Sequence, residues 1–146
     1  MEKIKFRHIG VTVSDLDRIA DFYCKYFGFS KQFGRTFDEG FISAAPALYR
    51  QPEGVFAKMQ MIESRDGVVL ELFQFSNTEK SETALWNMTG MHHLAFLVED
   101  LPALYEVMKA DGVEFFQEPG LRGDETGDGY WAFFKDPDGN MVELWD

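Results

Sequence analysis

The chain has 146 residues, enough for about one domain. Its hydrophobic share of 45% and aromatic share of 16% exclude a disordered segment and supply a core. The formal net charge of -11 opposes phosphate backbones and anionic lipid, so neither nucleic acid nor membrane is expected as a partner. No apolar run approaches the roughly 18 residues of a spanning helix. The charged opening, Met1 to His8, is not followed by an apolar signal core. The single cysteine, Cys24, forms no internal disulfide, and together these features predict a cytoplasmic protein.

Ile9, Val11 and Val13 alternate with His8, Gly10 and Thr12, which predicts a strand. Leu16, Ile19, Ala20, Tyr23 and Phe27 then recur at helical spacing. Ser14 with Asp17 reads as the helix start and Gly28 as its stop. Extended segments follow near 30–37, 55–63 and 68–75, the last after an Asp66-Gly67 hairpin turn. Between them, Phe41 to Gly54 has no counterpart later in the chain and is expected to form a short helix or a lid. A polar stretch, Ser76 to Thr83, opens a linker, with a short helix expected at Ala84 to Met88.

The second half repeats the first. Leu94, Phe96 and Val98 alternate with His93, Ala95 and Leu97. Leu101, Leu104, Tyr105 and Met108 form a helical stripe between Pro102 and Gly112. Strands are expected near 113–118, 129–135 and 140–145, with Asp138-Gly139 as the last turn. Phe6 to Leu16 lies over Met91 to Leu101, and Asp66 to Phe73 over Asp138 to Trp145. A repeat of about 70 residues is a duplicated supersecondary module. The predicted fold is α+β: two tandem βαβββ modules, 1–78 and 91–146 with a linker at 79–90, forming one domain with a curved mixed sheet and a concave cleft.

Strand alternation decides where the polar residues point. The aliphatic face of each strand belongs under a helix, so His8, Glu71, His93 and Glu143 fall on the opposite face. A carboxylate beside Phe73 or Trp145 costs several kcal/mol unless it is paired or holds a cation. Two imidazoles and two carboxylates suit divalent Ni, Co, Zn, Mn or Fe. Four protein donors on an octahedral ion leave two adjacent positions, which fit vicinal oxygens of a substrate. The ion would stabilise an enediolate or oxyanion while Glu143 or Glu71 moves a proton. Phe73, Phe75, Tyr130, Phe134 and Trp145 are candidates for an apolar wall, with Phe73, Phe75 and Trp145 the substrate-binding expectation. His92 aligns with Arg7 and is expected to point away from His93. Cys24, mid-helix, reads as a small core residue.

The arrangement His8-Ile-Gly-Val-Thr-Val-Ser-Asp-Leu, Glu71-Leu-Phe, Gly90-Met-His-His93-Leu-Ala-Phe-Leu-Val and Phe134-Lys-Asp-Pro-Asp-Gly-Asn-Met-Val-Glu143-Leu resembles the vicinal oxygen chelate superfamily. That superfamily includes glyoxalase I, methylmalonyl-CoA epimerase, extradiol dioxygenases, fosfomycin resistance proteins and bleomycin-binding proteins. The resemblance implies a divalent metal on His8, Glu71, His93 and Glu143, a homodimer, and a cleft built within one chain or across two. It implies a lyase or isomerase of glyoxalase I or epimerase type acting on a small oxygenated substrate. Glyoxalase I usually carries an Arg four residues after its first His and an Asn four residues after its first Glu, both holding glutathione. Thr12 and Phe75 stand there, which implies a different thiol adduct or a plain oxygenated acid. The alternatives are an Fe-dependent extradiol-type dioxygenase, a fosfomycin-type transferase and a non-catalytic drug-binding resistance protein. The fourth donor, Glu71, counts against each.

Overall fold

The computed structural model describes residues 4–81, 86–123 and 127–146. Contacts divide the chain into two compact units, Met1–Lys80 and Ser81–Asp146. Each unit carries one four-stranded mixed sheet, and the two share the βαβββ plan. Among the described residues no helix is long and apolar enough to cross a membrane.

In the first unit, β1 (Ile9–Thr12) leads into α1 (Leu16–Phe27), β2 (Ser30–Phe37), β3 (Ala57–Glu63) and β4 (Val69–Phe75). The strands lie in the order β1-β4-β3-β2, with β1 parallel to β4 and the other pairs antiparallel. Ile19, Ala20 and Tyr23 give α1 a buried face that packs on β3 and β4. Beneath it Ile62, Leu70 and Leu72 are fully buried. The helix begins one residue later than Ser14 suggested. Asp15 has extended backbone and its carboxylate accepts the Arg18 N–H at 2.9 Å, while the Ser14 hydroxyl accepts from the Arg18 guanidinium instead. Gly28 ends the helix in the left-handed region, φ 63°, as a stop residue without a Cβ does cheaply.

The segment without a counterpart forms two short helices, α2 (Glu39–Ser43) and α3 (Pro46–Tyr49). They lie on the sheet face opposite α1. Phe37, Ile42, Ala57 and Met59 are buried there, with Tyr49, Met61, Phe73 and Phe75 packed around them. The β3–β4 register pairs Met61 with Glu71, Met59 with Phe73 and Ala57 with Phe75. This aromatic layer therefore occupies the same face as Glu71.

In the second unit, β5 (His93–Leu97), α4 (Leu101–Ala110), β6 (Gly120–Leu121), β7 (Tyr130–Lys135) and β8 (Met141–Trp145) form a sheet in the order β5-β8-β7-β6. Leu101, Tyr105 and Met108 of α4 are buried, as are Ala132, Phe134, Val142 and Leu144 of the sheet. Asp100 caps α4 through the Ala103 N–H. Asp146 ties the helix start to β7: one carboxylate oxygen accepts from the Leu101 N–H and the other from the Tyr130 N–H.

The strand expected near 113–118 is reduced to a single bridge between Phe115 and Phe134. Phe115 turns inward onto Tyr105 and Phe134, and Pro119 has no N–H with which to continue a ladder. Pairing resumes only at β6. Of the helix expected at Ala84 to Met88, Ala84 and Leu85 lie outside the described residues, and Trp86 to Met88 is turn and bend.

Candidate metal centre

Register builds the same pair of donors twice. In the first unit Gly10 lies beside Glu71 on the parallel strands. His8 precedes Gly10 by two residues, on the same face, and its Nε2 comes to 3.0 Å from Glu71 Oε2. In the second unit Ala95 lies beside Glu143, and His93 precedes Ala95 by two. Its Nε2 comes to 3.3 Å from Glu143 Oε2. Each pair is thus one diagonal across a parallel strand pair, on the face away from the unit's helix.

The carboxylates are more covered than the imidazoles, Glu71 at 17% and Glu143 at 14% side-chain exposure. Around Glu143 the register sets Phe133 directly opposite and Trp131 opposite Trp145. Phe133 also meets the His93 ring edge to face at 5.3 Å, and the Trp86 ring lies 5.4 Å from it. These aromatic neighbours were missed in the sequence. Tyr130 and Phe134, named there as wall candidates, point the other way. Phe134 pairs with Val142 and is wholly buried on the helix side. The odd positions of β7, Trp131 and Phe133, were the ones to read, by the same alternation that identified Glu143.

His92 also departs from expectation. It precedes the first residue of β5, so strand alternation does not govern it, and its ring stacks beside that of His93. The two Nδ1 atoms lie 3.3 Å apart. One of them must donate and the other accept. If His93 Nε2 serves as a ligand, its proton sits on Nδ1 and is received by His92, the partner that orients a ligating imidazole. His8 has no equivalent: its Nδ1 is buried without a hydrogen-bond partner among the described residues.

Of the three substrate-binding candidates, Phe75 lines a cavity further along the Glu71 face. Phe73 stacks between Phe37 and Phe75. Trp145 lies under the Arg122 guanidinium, 4.9 Å from the ring centre, with its indole N–H buried and unpartnered among the described residues. Cys24 is half-buried in α1, and burial pushes its thiol pKa up, with Asp21 adding to the rise and Lys31 opposing it.

Among the described residues no three His, Cys, Asp or Glu side chains gather into one cluster; the donors come as two pairs, one in each unit. A His–carboxylate hydrogen bond alone would account for either pair. The duplication marks them: each unit turns the same two atoms, Nε2 and Oε2, toward one another. That donor set fits a divalent first-row ion, because neutral imidazole nitrogen and carboxylate oxygen are both ligands for it and two carboxylates balance its charge.

Two sheets of identical plan, each presenting a His–Glu diagonal, define a duplicated βαβββ scaffold. The profile of the Glyoxalase/Bleomycin resistance protein/Dioxygenase superfamily matches residues 5–144, and the chain belongs to that superfamily. It is 31% identical over 145 residues to a probable lactoylglutathione lyase of Vibrio parahaemolyticus, covering 99% of this chain and 91% of that one. It is 27% identical over 148 residues to a 2-epi-5-epi-valiolone epimerase of an Actinomyces species, covering 97% and 78%. A glyoxalase family protein from Bacillus cereus shares its fold, with a TM-score of 0.78 over 99% of this chain and 97% of the other at 18% identity.

Proposed function

We propose that this protein is a metal-dependent lyase or isomerase of the glyoxalase I type, acting on a small substrate with oxygens on neighbouring carbons. The observation that carries the reading is the repeated diagonal of His8 with Glu71 and His93 with Glu143. The two pairs are read as halves of one four-donor site, supplied by the two units of one chain or by units of two copies. The relatives named as a lyase and as an epimerase support chemistry that moves a proton between carbon and a base.

In this reading His8 and His93 would hold the ion through Nε2, and His92 would accept a hydrogen bond from the Nδ1–H of His93, holding that ring in one tautomer. The bound ion supplies Lewis-acid stabilisation of negative charge on the substrate's vicinal oxygens. Glu143 takes the proton from the activated C–H bond and returns it to the neighbouring carbon. Phe133 and Trp145 beside that carboxylate limit its hydration, which leaves it the stronger base toward the C–H bond. Glu71 completes the charge balance. A fourth protein donor leaves less room for dioxygen, so the proton-transfer reading is preferred to the dioxygenase.

The test pairs metal analysis with exchange chemistry. The purified protein is expected to hold or take up about one divalent transition metal per site. With α-hydroxy, α-keto and thioester acids in deuterated water, it is expected to replace the α-proton of at least one. Glu143→Gln is expected to lower that exchange about 10²–10⁴-fold, more than it lowers metal content. A protein that cannot be loaded with Ni, Co, Zn, Mn or Fe would end the proposal, as would full exchange in Glu143→Gln.

A further inference from the structure

The repeat is imperfect at one atom. His8 and His93 both turn Nε2 to a glutamate, at 3.0 Å in the first unit and 3.3 Å in the second. Their other ring nitrogens differ. His8 Nδ1 is buried with no hydrogen-bond partner among the described residues. His93 Nδ1 lies 3.3 Å from His92 Nδ1. In the repeat, Arg7 stands at the position of His92. A guanidinium only donates, so Arg7 offers no acceptor to a proton on His8.

A neutral imidazole carries one proton, on Nδ1 or on Nε2. For His8 the surroundings decide between them. On Nε2 the proton is donated to Glu71. On Nδ1 it would be a buried donor without an acceptor, and Nε2 would set a lone pair against the carboxylate. His8 therefore rests as the Nε2–H tautomer. His93 is not restricted in this way. His92 either donates from Nδ1 or accepts there, and so satisfies His93 in both tautomers. The Trp86 ring packs on both, with its centre 4.5 Å from that of His92 and 5.4 Å from that of His93, which limits their turning.

We propose that the two donor pairs are unequal and that His92 makes them so. A ligating nitrogen must give up its proton. His93 can carry its proton on Nδ1, hydrogen-bonded to His92, and present Nε2 as a bare lone pair. His8 can do the same only by leaving a buried N–H unpaired. The pair of the second unit is thus the stronger half of the site, and His92 is a positioning residue that acts through His93. This inference rests on the proposed function and adds to it an order of strength between the half-sites.

The experiment has one arm without metal and one with it. Long-range ¹H–¹⁵N correlation of the metal-free protein at about pH 8, where imidazole is neutral, reads the tautomer of each of the three histidines. His8 is expected as Nε2–H, and one ring of the His92–His93 pair as Nδ1–H. His8 found as Nδ1–H, or a pair with both or neither Nδ1 protonated, overturns the assignment. Calorimetric titration with zinc then compares variants. His92→Phe keeps a ring against Trp86 and removes the acceptor, and is expected to weaken zinc binding about 10- to 100-fold. His92→Asn gives up the ring but sets Oδ1 at the place of Nδ1, and is expected to stay within about 3-fold of wild type. Packing alone would reverse that order, and the reversed order overturns the proposal. His8→Ala is expected to bind zinc about 10-fold more tightly than His93→Ala; equal or reversed losses overturn it as well. A wild-type protein that takes up no metal ends the proposed function, whereas wild-type zinc binding with the wrong order among the variants ends this inference alone.

Discussion

If one ion is held by both donor pairs, either histidine alone should control the metal's effect on stability. An ion that binds only the folded state stabilises it by RT ln(1 + [M]/Kd), about 2.7 kcal/mol at a free concentration 100 times Kd. For a chain of this size each kcal/mol raises Tm by about 2–8 °C, so the wild-type protein should melt roughly 10 °C higher with metal than with chelator. Disturbing even an orienting neighbour of a ligand costs 10- to 100-fold in affinity, and losing a ligand costs no less. At the same free metal, a 100-fold loss leaves [M] equal to Kd and a stabilisation of RT ln 2, about 0.4 kcal/mol. His8→Ala and His93→Ala should therefore each reduce the shift to one or two degrees, although His8 lies in the first unit and His93 in the second. Scanning calorimetry of each variant with and without chelator cancels whatever the substitution does to the apo-protein. A shift lost in one variant and kept whole in the other would place the ion on a single pair and refute the shared site.

Other outcomes follow from individual side chains. Thr12 and Phe75 stand where glutathione contacts are expected by family resemblance, and two missing contacts of about 1.5 kcal/mol each compound to about 100-fold in kcat/KM. The hemithioacetal of glutathione should therefore be at least that much poorer than the best substrate of an acid panel, and steady-state rates within tenfold would contradict it. Leu144 is wholly buried in the second unit's core, so Leu144→Ala should cost about 2–5 kcal/mol in urea titration; a loss under 1 kcal/mol would mean that core is placed wrongly. Cys24, its thiol pKa raised by burial, should react with iodoacetamide more slowly in the native protein than in urea at about pH 8, and an equal native rate would show it to be exposed.

The repeat, the helices and the donor face were legible because they depend on periodicity. Alternation put Leu70 and Leu72 under α1 and Glu71 on the other side, and burial follows that division. It failed where the chain leaves regular structure. His92 is the residue before a strand, where nothing enforces a flip of side, and it came to rest against His93. The segment at 113–118 had apolar strand composition, yet Phe115 found more contact inward on α4 than a ladder offered. The cavity was not legible at all. Its polar lining is tied by two hydrogen bonds, Gln51 to Tyr49 and Asn77 to Gln51, between residues up to 26 positions apart.

The same register that buries the core also sets the chemistry. Sliding β4 by one residue against β1 would exchange the faces of Leu70, Glu71 and Leu72. The carboxylate would then lie under α1, against Ile19 and Ile62, with the leucines turned to the other face, at a cost of several kcal/mol. A slip of β8 would do the same to Glu143 between Val142 and Leu144. The two leucine or valine neighbours of each glutamate thus hold it on the open face, and the parallel pairing then leaves the histidine two residues upstream as its diagonal partner. Because this selection operates independently in each sheet, duplicating one βαβββ unit duplicates the donor pair without any further requirement on the sequence between them.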